Sequence, residues 1–256
     1  MLTPVIAALA LTSTVTAQCT RESLKSATQT LLSSYMSGSA TSLSSPETIY
    51  TENEINKTIT TGIFSHALKI AHNRSSFDTT QCATYTEIIV TDSAHPYVIG
   101  TQMRFDSSNT SLSKIETIVT ETGDWLFNAA NTLKYAASED GLWGEIAAAK
   151  RDTRKVIQAA ADAYLDVFND KNVKVPWGIP CARLEGGAYT GKGSPNDTCE
   201  VGIPTGVVIN NRRYIIDEVL GTVDVFCTFS GIADTHEFRI QEGKIRFVHT
   251  MTNTGK

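Results

Sequence analysis

The sequence lacks most of what would hold a membrane, a nucleic acid or a cofactor. Its N-terminal apolar run, Val5 to Leu11, is far short of the roughly 20 residues a spanning helix needs, so no membrane span is expected. There is no long run of Lys or Arg, and 22 basic against 27 acidic residues leave a net charge of −5. Such a chain has no electrostatic reason to bind nucleic acid or anionic lipid. HExxH, paired CxxC, P-loop and Rossmann patterns are absent, and the five histidines lack metal-ligand spacing, so neither a metal nor a nucleotide cofactor is expected. No GxSxG nucleophile elbow occurs, so a hydrolase would need an unmarked triad. Acid–base and hydrogen-bond chemistry inside an apolar fold is what remains.

What is present points to an exported chain. After Val5–Leu11 come small residues ending Val15, Thr16, Ala17, which predicts a signal peptide over residues 1–17 and entry into the secretory pathway, although the n-region carries no Lys or Arg. Asn56, Asn73, Asn109 and Asn196 each begin a glycosylation sequon. Of five cysteines, Cys19, Cys82, Cys181 and Cys199 lie near loops or element ends, whereas Cys227 sits inside an apolar strand. One bridge per half would pair Cys19 with Cys82 and Cys181 with Cys199 and leave Cys227 a buried thiol, but spacing alone does not fix the connectivity.

With 256 residues and 41% hydrophobic content, the chain can bury one large core or two of about 110–130 residues. Internal likeness favours two. A helical stripe at Leu24, Ala27, Leu31 and Tyr35, ending at Gly38, has its counterpart in Val156, Ala160, Ala163, Tyr164 and Val167. FDTTQCATYTEIIVTD, HPYVIGTQMRF and SKIETIVTE read as strands of a first sheet, and NRRYIIDEVLGTVDVFCTF with DTHEFRI-QEGKIRFVHT as a second, three-stranded meander. Asp78 corresponds to Asp217, and both meanders end in a Lys-Ile pair. The expected architecture is α+β, with tandem domains over 18–136 and 137–256 and a joint near Ala136–Ala149. The intervening 175–204, crowded with Gly, Pro and Asn, reads as a long functional loop.

WGIPCARLEGGAY, NRRYIIDEVLGTVDVF and THEFRI-QEGKIRFVHT, with YTEN and GDWLFNA upstream, resemble a family of secreted fungal proteins built from SnoaL-like domains, in the superfamily of ketosteroid isomerase and nuclear transport factor 2. The resemblance implies two cone-shaped curved antiparallel sheets, each lidded by helices. Members with an assigned activity are similar to cofactor-free intermolecular hetero-Diels–Alderases of tropolonic sesquiterpenoid biosynthesis. Those enzymes join an o-quinone-methide tropolone to a humulene-type alkene, and dehydration of a hydroxymethyl precursor would be an added step. Small apolar substrates are then the expected partners. Sheet-face association in that superfamily implies a homodimer unless the duplicated chain satisfies that surface internally. A cofactor-free dehydratase, isomerase or cyclase, and a secreted lipophile-binding protein without chemistry, are the alternatives.

Strand alternation puts His236, Phe238 and Ile240 on one face, and Ile245, Phe247, His249 and Met251 on one face of the next strand. If both faces look inward, two imidazoles share one cavity, and His249 is the favoured general acid, with His236 and Asp217 beside it. Either histidine could instead cap a strand or pair with a surface carboxylate. Asp217, on an apolar strand, must be paired or hold its proton more tightly. Tyr214, Trp177, Phe238 and Phe247 could stack on a planar substrate or be core, and Arg183 could bind substrate or form an ion pair with Glu185.

Overall fold

The computed structural model describes residues 19–106 and 111–255. The expected signal peptide and the Asn109 sequon lie outside them. Two helices with similar caps open the two halves. In α1 (Arg21–Ser37), Thr20 and Ser23 form a capping box, and Gly38 closes the helix at φ 65°, a left-handed conformation that glycine adopts without steric cost. In α3 (Arg154–Asp166), the Thr153 side chain caps Val156 N. The buried stripe of α3 is Ile157, Ala160, Ala161, Tyr164 and Leu165, while Val156 stays exposed. The stripe is rotated by about one residue from expectation, because that turn buries the larger Ile157 and Leu165.

Each half then builds a six-stranded mixed sheet of the same order. The first comprises β1 (Ile49–Glu52), β2 (Ile55–Asn56), β3 (Ile70–Asp78), β4 (Ala83–Val90), β5 (Tyr97–Phe105) and β6 (Leu112–Thr120), arranged β2-β1-β6-β5-β4-β3. The second comprises β7 (Trp177–Glu185), β8 (Ala188–Tyr189), β9 (Ile209–Asp217), β10 (Thr222–Phe229), β11 (Ile232–Gln241) and β12 (Lys244–Thr252), arranged β8-β7-β12-β11-β10-β9. In both, a short hairpin joins the end of an antiparallel meander through a parallel pair, β1 with β6 and β7 with β12. The fold is therefore α+β with two like halves.

Three local expectations change. The second meander has four strands, since residues 218–221 turn the chain between β9 and β10. Part of the expected loop 175–204 is the hairpin β7–β8, because backbone pairing to β12 satisfies its polar groups. The expected joint, near Ala136–Ala149, begins in the last turn of α2 (Ala129–Glu139), which packs against strands of both sheets. Its few apolar residues gave a weak helical period.

Three apolar clusters result. One lies between α1 and the first sheet, around Leu31, Tyr35, Phe64 and Ile99. A second lies between α3 and the second sheet, around Tyr164, Val225, Phe238 and Val248. The third lies between the two sheets, around Tyr85, Ile118, Ile215, Phe226 and Met251. The sheet faces thus cover one another within one chain. The bridges present are Cys19–Cys82 and Cys181–Cys199, and Cys227 is a buried free thiol. Two disulfides are consistent with a secreted protein. Asn56, Asn73 and Asn196 are exposed, and no helix among the described residues is long and apolar enough to cross a membrane.

The halves are clamped by reciprocal ion pairs. Arg21 Nη1 donates to both Asp217 oxygens at 2.8 Å, and Arg154 donates to the Asp78 oxygens at 2.8 and 2.7 Å. Each carboxylate also takes a backbone N–H from the opposite half: Phe77 N to Asp217 at 2.9 Å and Ile216 N to Asp78 at 3.0 Å. Their remaining bonds hold the turns that follow them, Val219 and Leu220 on Asp217 and Thr80 and Gln81 on Asp78. Breaking one partner of a buried, hydrogen-bonded pair leaves the other charge uncompensated. Arg21→Ala and Arg154→Ala should each lower unfolding free energy by about 3 kcal/mol, read from urea midpoints, with similar losses because the two environments match.

Candidate functional site

The register of β11 with β12 separates the two histidines. Glu237 lies opposite His249, and His236 opposite Thr250. Paired residues share a sheet face, so His249 faces with Glu237 and His236 looks the other way. A register shift between Arg239 and Ile240 inserts Arg246 as an extra residue and breaks the expected alternation along β12. Ile245 therefore stays in the α3-side core, whereas Phe247, His249 and Met251 turn toward the opposite sheet. Phe238 remains with His236. The shared cavity expected for the two imidazoles does not form.

On its own side, His249 sits in a buried charge cluster built by both halves. Its Nδ1 is 2.9 Å from Glu87 Oε2 and its Nε2 is 3.0 Å from Glu139 Oε2. Arg74 Nη2 lies 2.8 Å from Glu237 and 3.3 Å from Glu87. Trp143 covers the cluster, with its ring 3.7 Å from the Arg74 guanidinium carbon and stacked on Phe247. Burial alone would lower the His249 pKa, but the Glu87 and Glu139 carboxylates outweigh it and hold the imidazolium up to about 9. Burial likewise works against the Glu87 anion, yet His249 and Arg74 keep that carboxyl down at about 2. These groups hold one another, and Glu87, Glu139, Glu237 and His249 are all buried.

Asp217 anchors Arg21 between the halves and lies outside the cavity under α3, on a separate recess shared with Arg21, Phe77 and Arg151. Tyr214 donates to Asp162 at 2.6 Å and leans on the α3-side core. Trp177 meets Tyr164 edge-on with centroids 5.7 Å apart, so it supports the wall from behind.

A cavity does open under α3, on the other face of the second sheet. Its volume is about 220 Å³, and its walls include Tyr164, Phe168, Phe229 and Ile232, with Trp125 contributed by the loop after β6. Gly186 lets that loop come close: it has φ 55°, and a Cβ there would meet Trp125 O at 2.6 Å. Polar groups enter from three strands. Arg183 and Glu185 on β7 form an ion pair at 2.6 Å, and Arg183 Nη1 also donates to Cys199 O at 3.2 Å, which ties the disulfide loop to the rim. Thr250 and Thr252 come from β12, and Asp234 and His236 from β11.

Asp234 was missed in the sequence although it stands two residues before His236, the i, i+2 spacing that puts both on one strand face. Its Oδ1 accepts from Thr252 at 2.6 Å, and its Oδ2 lies 3.6 Å from Cys227 Sγ and 3.1 Å from His236 Nδ1. That last contact is out of line for a hydrogen bond, so Nδ1 is buried without a well-directed partner. The matching positions of the first half hold Ile88, Ile99 and Thr101, and there Tyr35 donates to or accepts from Thr101 in a filled core.

A family model described as a domain of unknown function (DUF8021) matches residues 150–252. No curated protein and no solved structure matches the chain. The matched span runs from just before α3 to the end of β12 and carries the whole Cys227, Asp234, His236 cluster.

The His249 cluster generates a pH prediction. A group whose folded pKa of about 9 exceeds an unfolded value near 6.5 contributes stability that is complete below pH about 6.5 and lost as pH rises through about 9. The urea midpoint of the wild type should therefore fall between pH 7 and 10, by an equivalent on the order of 3 kcal/mol. His249→Gln should start lower and show a flatter profile over that window. A wild-type midpoint that holds to pH 10 would count against a charged His249.

Proposed function

We propose that the protein is a secreted, glycosylated member of the SnoaL-like group it resembles, with two cones of which the second is the working pocket. In that pocket it acts as an acid–base enzyme on a compact apolar molecule. The observation that carries this reading is the Asp234–His236 pair in an aromatic-walled cavity, where the matching half has only Ile99 and Thr101. A polar pair in an otherwise apolar concavity is the common arrangement of small-molecule sites.

Size narrows the substrate. About 220 Å³ equals the liquid volume of about seven waters and falls below the roughly 300–1,000 Å³ of pockets for drug-sized ligands. One ring system fits. Both partners of a cycloaddition would need the mouth as well, where Ile232 also borders a polar recess of about 660 Å³ between the halves. Loss of water from a hydroxymethyl tropolone therefore suits the cavity better than the joining step. His236 would give a proton to the leaving hydroxyl, the C–O bond would break, and the ring hydroxyl would return a proton as the quinone methide forms, so the imidazole is restored. The Asp234 carboxylate, 3.1 Å from Nδ1, would offset the positive charge that comes and goes on the ring. The aromatic walls would keep bulk water from trapping the product. The hetero-Diels–Alder reading remains the second one, favoured by the shared Ile232 border.

The test is turnover of a hydroxymethyl tropolone, with and without a hydroxyhumulene, by the purified glycosylated protein. His236→Gln should lower the rate about 10²–10⁴-fold while tropolone binding, followed by tryptophan fluorescence, persists. His249→Gln should leave the rate within about threefold once measured at a pH where the variant is folded. Equal losses from both variants would argue against this assignment of the pocket, and binding without any turnover would favour the ligand-carrier alternative.

A further inference from the structure

Two clusters in this protein bring a histidine and its neighbours close enough to surround one cation, and they differ in what already fills them. In Glu87, Glu237 and His249 the donor atoms lie within 4.8 Å of one another, but the Arg74 guanidinium stands among them, 2.8 Å from Glu237 and 3.0 Å from His249 Nδ1. That site has its cation. In Cys227, Asp234 and His236 the donor atoms also lie within 4.8 Å of one another, and no Lys or Arg among the described residues pairs with Asp234. The nearest guanidinium in the cavity, Arg183, is taken by Glu185.

The three side chains are wholly enclosed, with Cys227 and Asp234 at 0% exposure and His236 at 3%. A carboxylate so buried requires a compensating charge. Among the described residues its hydrogen-bond donors are the Thr252 hydroxyl and the Cys227 thiol, both neutral, and the His236 ring nitrogen that approaches it is out of line. The spacing is informative. Tetrahedral zinc with ordinary Zn–S, Zn–N and Zn–O lengths sets its ligands about 3.4–3.6 Å apart. Here Cys227 Sγ stands 3.6 Å from an Asp234 oxygen, within that spacing, and His236 Nδ1 stands 3.1 Å from the same oxygen, about 0.3 Å short of it, a gap that a small side-chain shift would close.

We propose that Cys227, Asp234 and His236 form a binding site for a zinc-class divalent cation, with its fourth position open to the cavity under α3. The proposal rests on the second cone being the working pocket. Thiolate, imidazole and carboxylate together favour zinc over magnesium or calcium, which prefer all-oxygen shells. Binding would displace the thiol proton of Cys227 and the off-line contact of His236 Nδ1. Three protein ligands with one open position are the arrangement of catalytic rather than structural zinc. A substrate oxygen at that position would be polarised toward loss or attack, so Lewis-acid activation of the leaving hydroxyl would replace its protonation by the free imidazole.

The test uses the full glycosylated chain, stripped with EDTA and titrated with Co²⁺, then Zn²⁺. One Co²⁺ per chain should bind, with intense visible bands of tetrahedral cobalt and a thiolate-to-cobalt band in the near ultraviolet, both abolished by Zn²⁺. Cys227→Ser should lose the thiolate band, and His236→Gln and Asp234→Asn should each weaken binding at least about 100-fold. Should the variants fail to fold, zinc-edge X-ray absorption of the wild type reads the site directly, with one sulfur expected at about 2.3 Å. No cobalt bound, or a spectrum without sulfur, overturns the proposal. If the cation fails to bind while the stripped protein still turns over tropolone, only the metal site falls. If it binds and nothing is turned over, the metal site stands and the acid–base reading falls.

Discussion

The structure depends on two carboxylates that each half lends to the other. Asp78 and Asp217 end equivalent strands, hold the turns that follow, and reach across to an arginine at the first turn of the opposite half's helix. Either carboxylate alone would be a buried charge, costly outside water. Paired reciprocally, they fix the sheets face to face, which encloses the apolar cluster around Tyr85, Phe226 and Met251 and the polar cluster around Arg74 and His249. The inter-sheet face, which a single cone would have to cover with a second copy of itself, is thus covered within the chain.

That arrangement assigns different work to the two faces of the second sheet. Along β11, alternate residues serve opposite ends: Glu237 and Arg239 go to the joint between the halves, Asp234 and His236 to the cavity under α3. The joint is held by mutual ion pairs among Arg74, Glu87, Glu237 and His249, although Arg74 Nε and Nη1 stay without a partner. The cavity keeps a carboxylate and an imidazole beside aromatic walls, with the Cys227 thiol behind the carboxylate and the imidazole Nδ1 without a well-directed partner. The first half, with the same topology, fills the corresponding space with Tyr35, Phe64 and Ile99. The two like halves thus differ, one packed where the other leaves a cavity.

Much of this was legible before any coordinates. The paired helix stripes, the like meanders and the matched Asp78 and Asp217 point to two α+β halves, and the location of Cys227 within an apolar strand to its burial. What stayed hidden has definite causes. Arg246 is an extra residue in β12, and since side chains alternate with period two, one insertion moves Phe247 and His249 to the other face without any mark in composition. α2 carries too few large apolar residues to give a period. The role of Asp217 depended on Arg21, 196 positions away, a separation no local pattern reports. Asp234 was readable in principle, because its i, i+2 relation to His236 needs only the strand assignment.

The central claim is that the cavity beneath α3, and not the joint holding His249, receives the ligand. A crystal structure of the glycosylated protein grown with tropolone addresses it most directly. The account predicts a ring bound between Tyr164, Phe168 and His236, with a ring oxygen within hydrogen-bond reach of His236 or of a cation held beside it. Tropolone bound elsewhere, in the recess between the halves or under α1, with the cavity under α3 vacant, would contradict it.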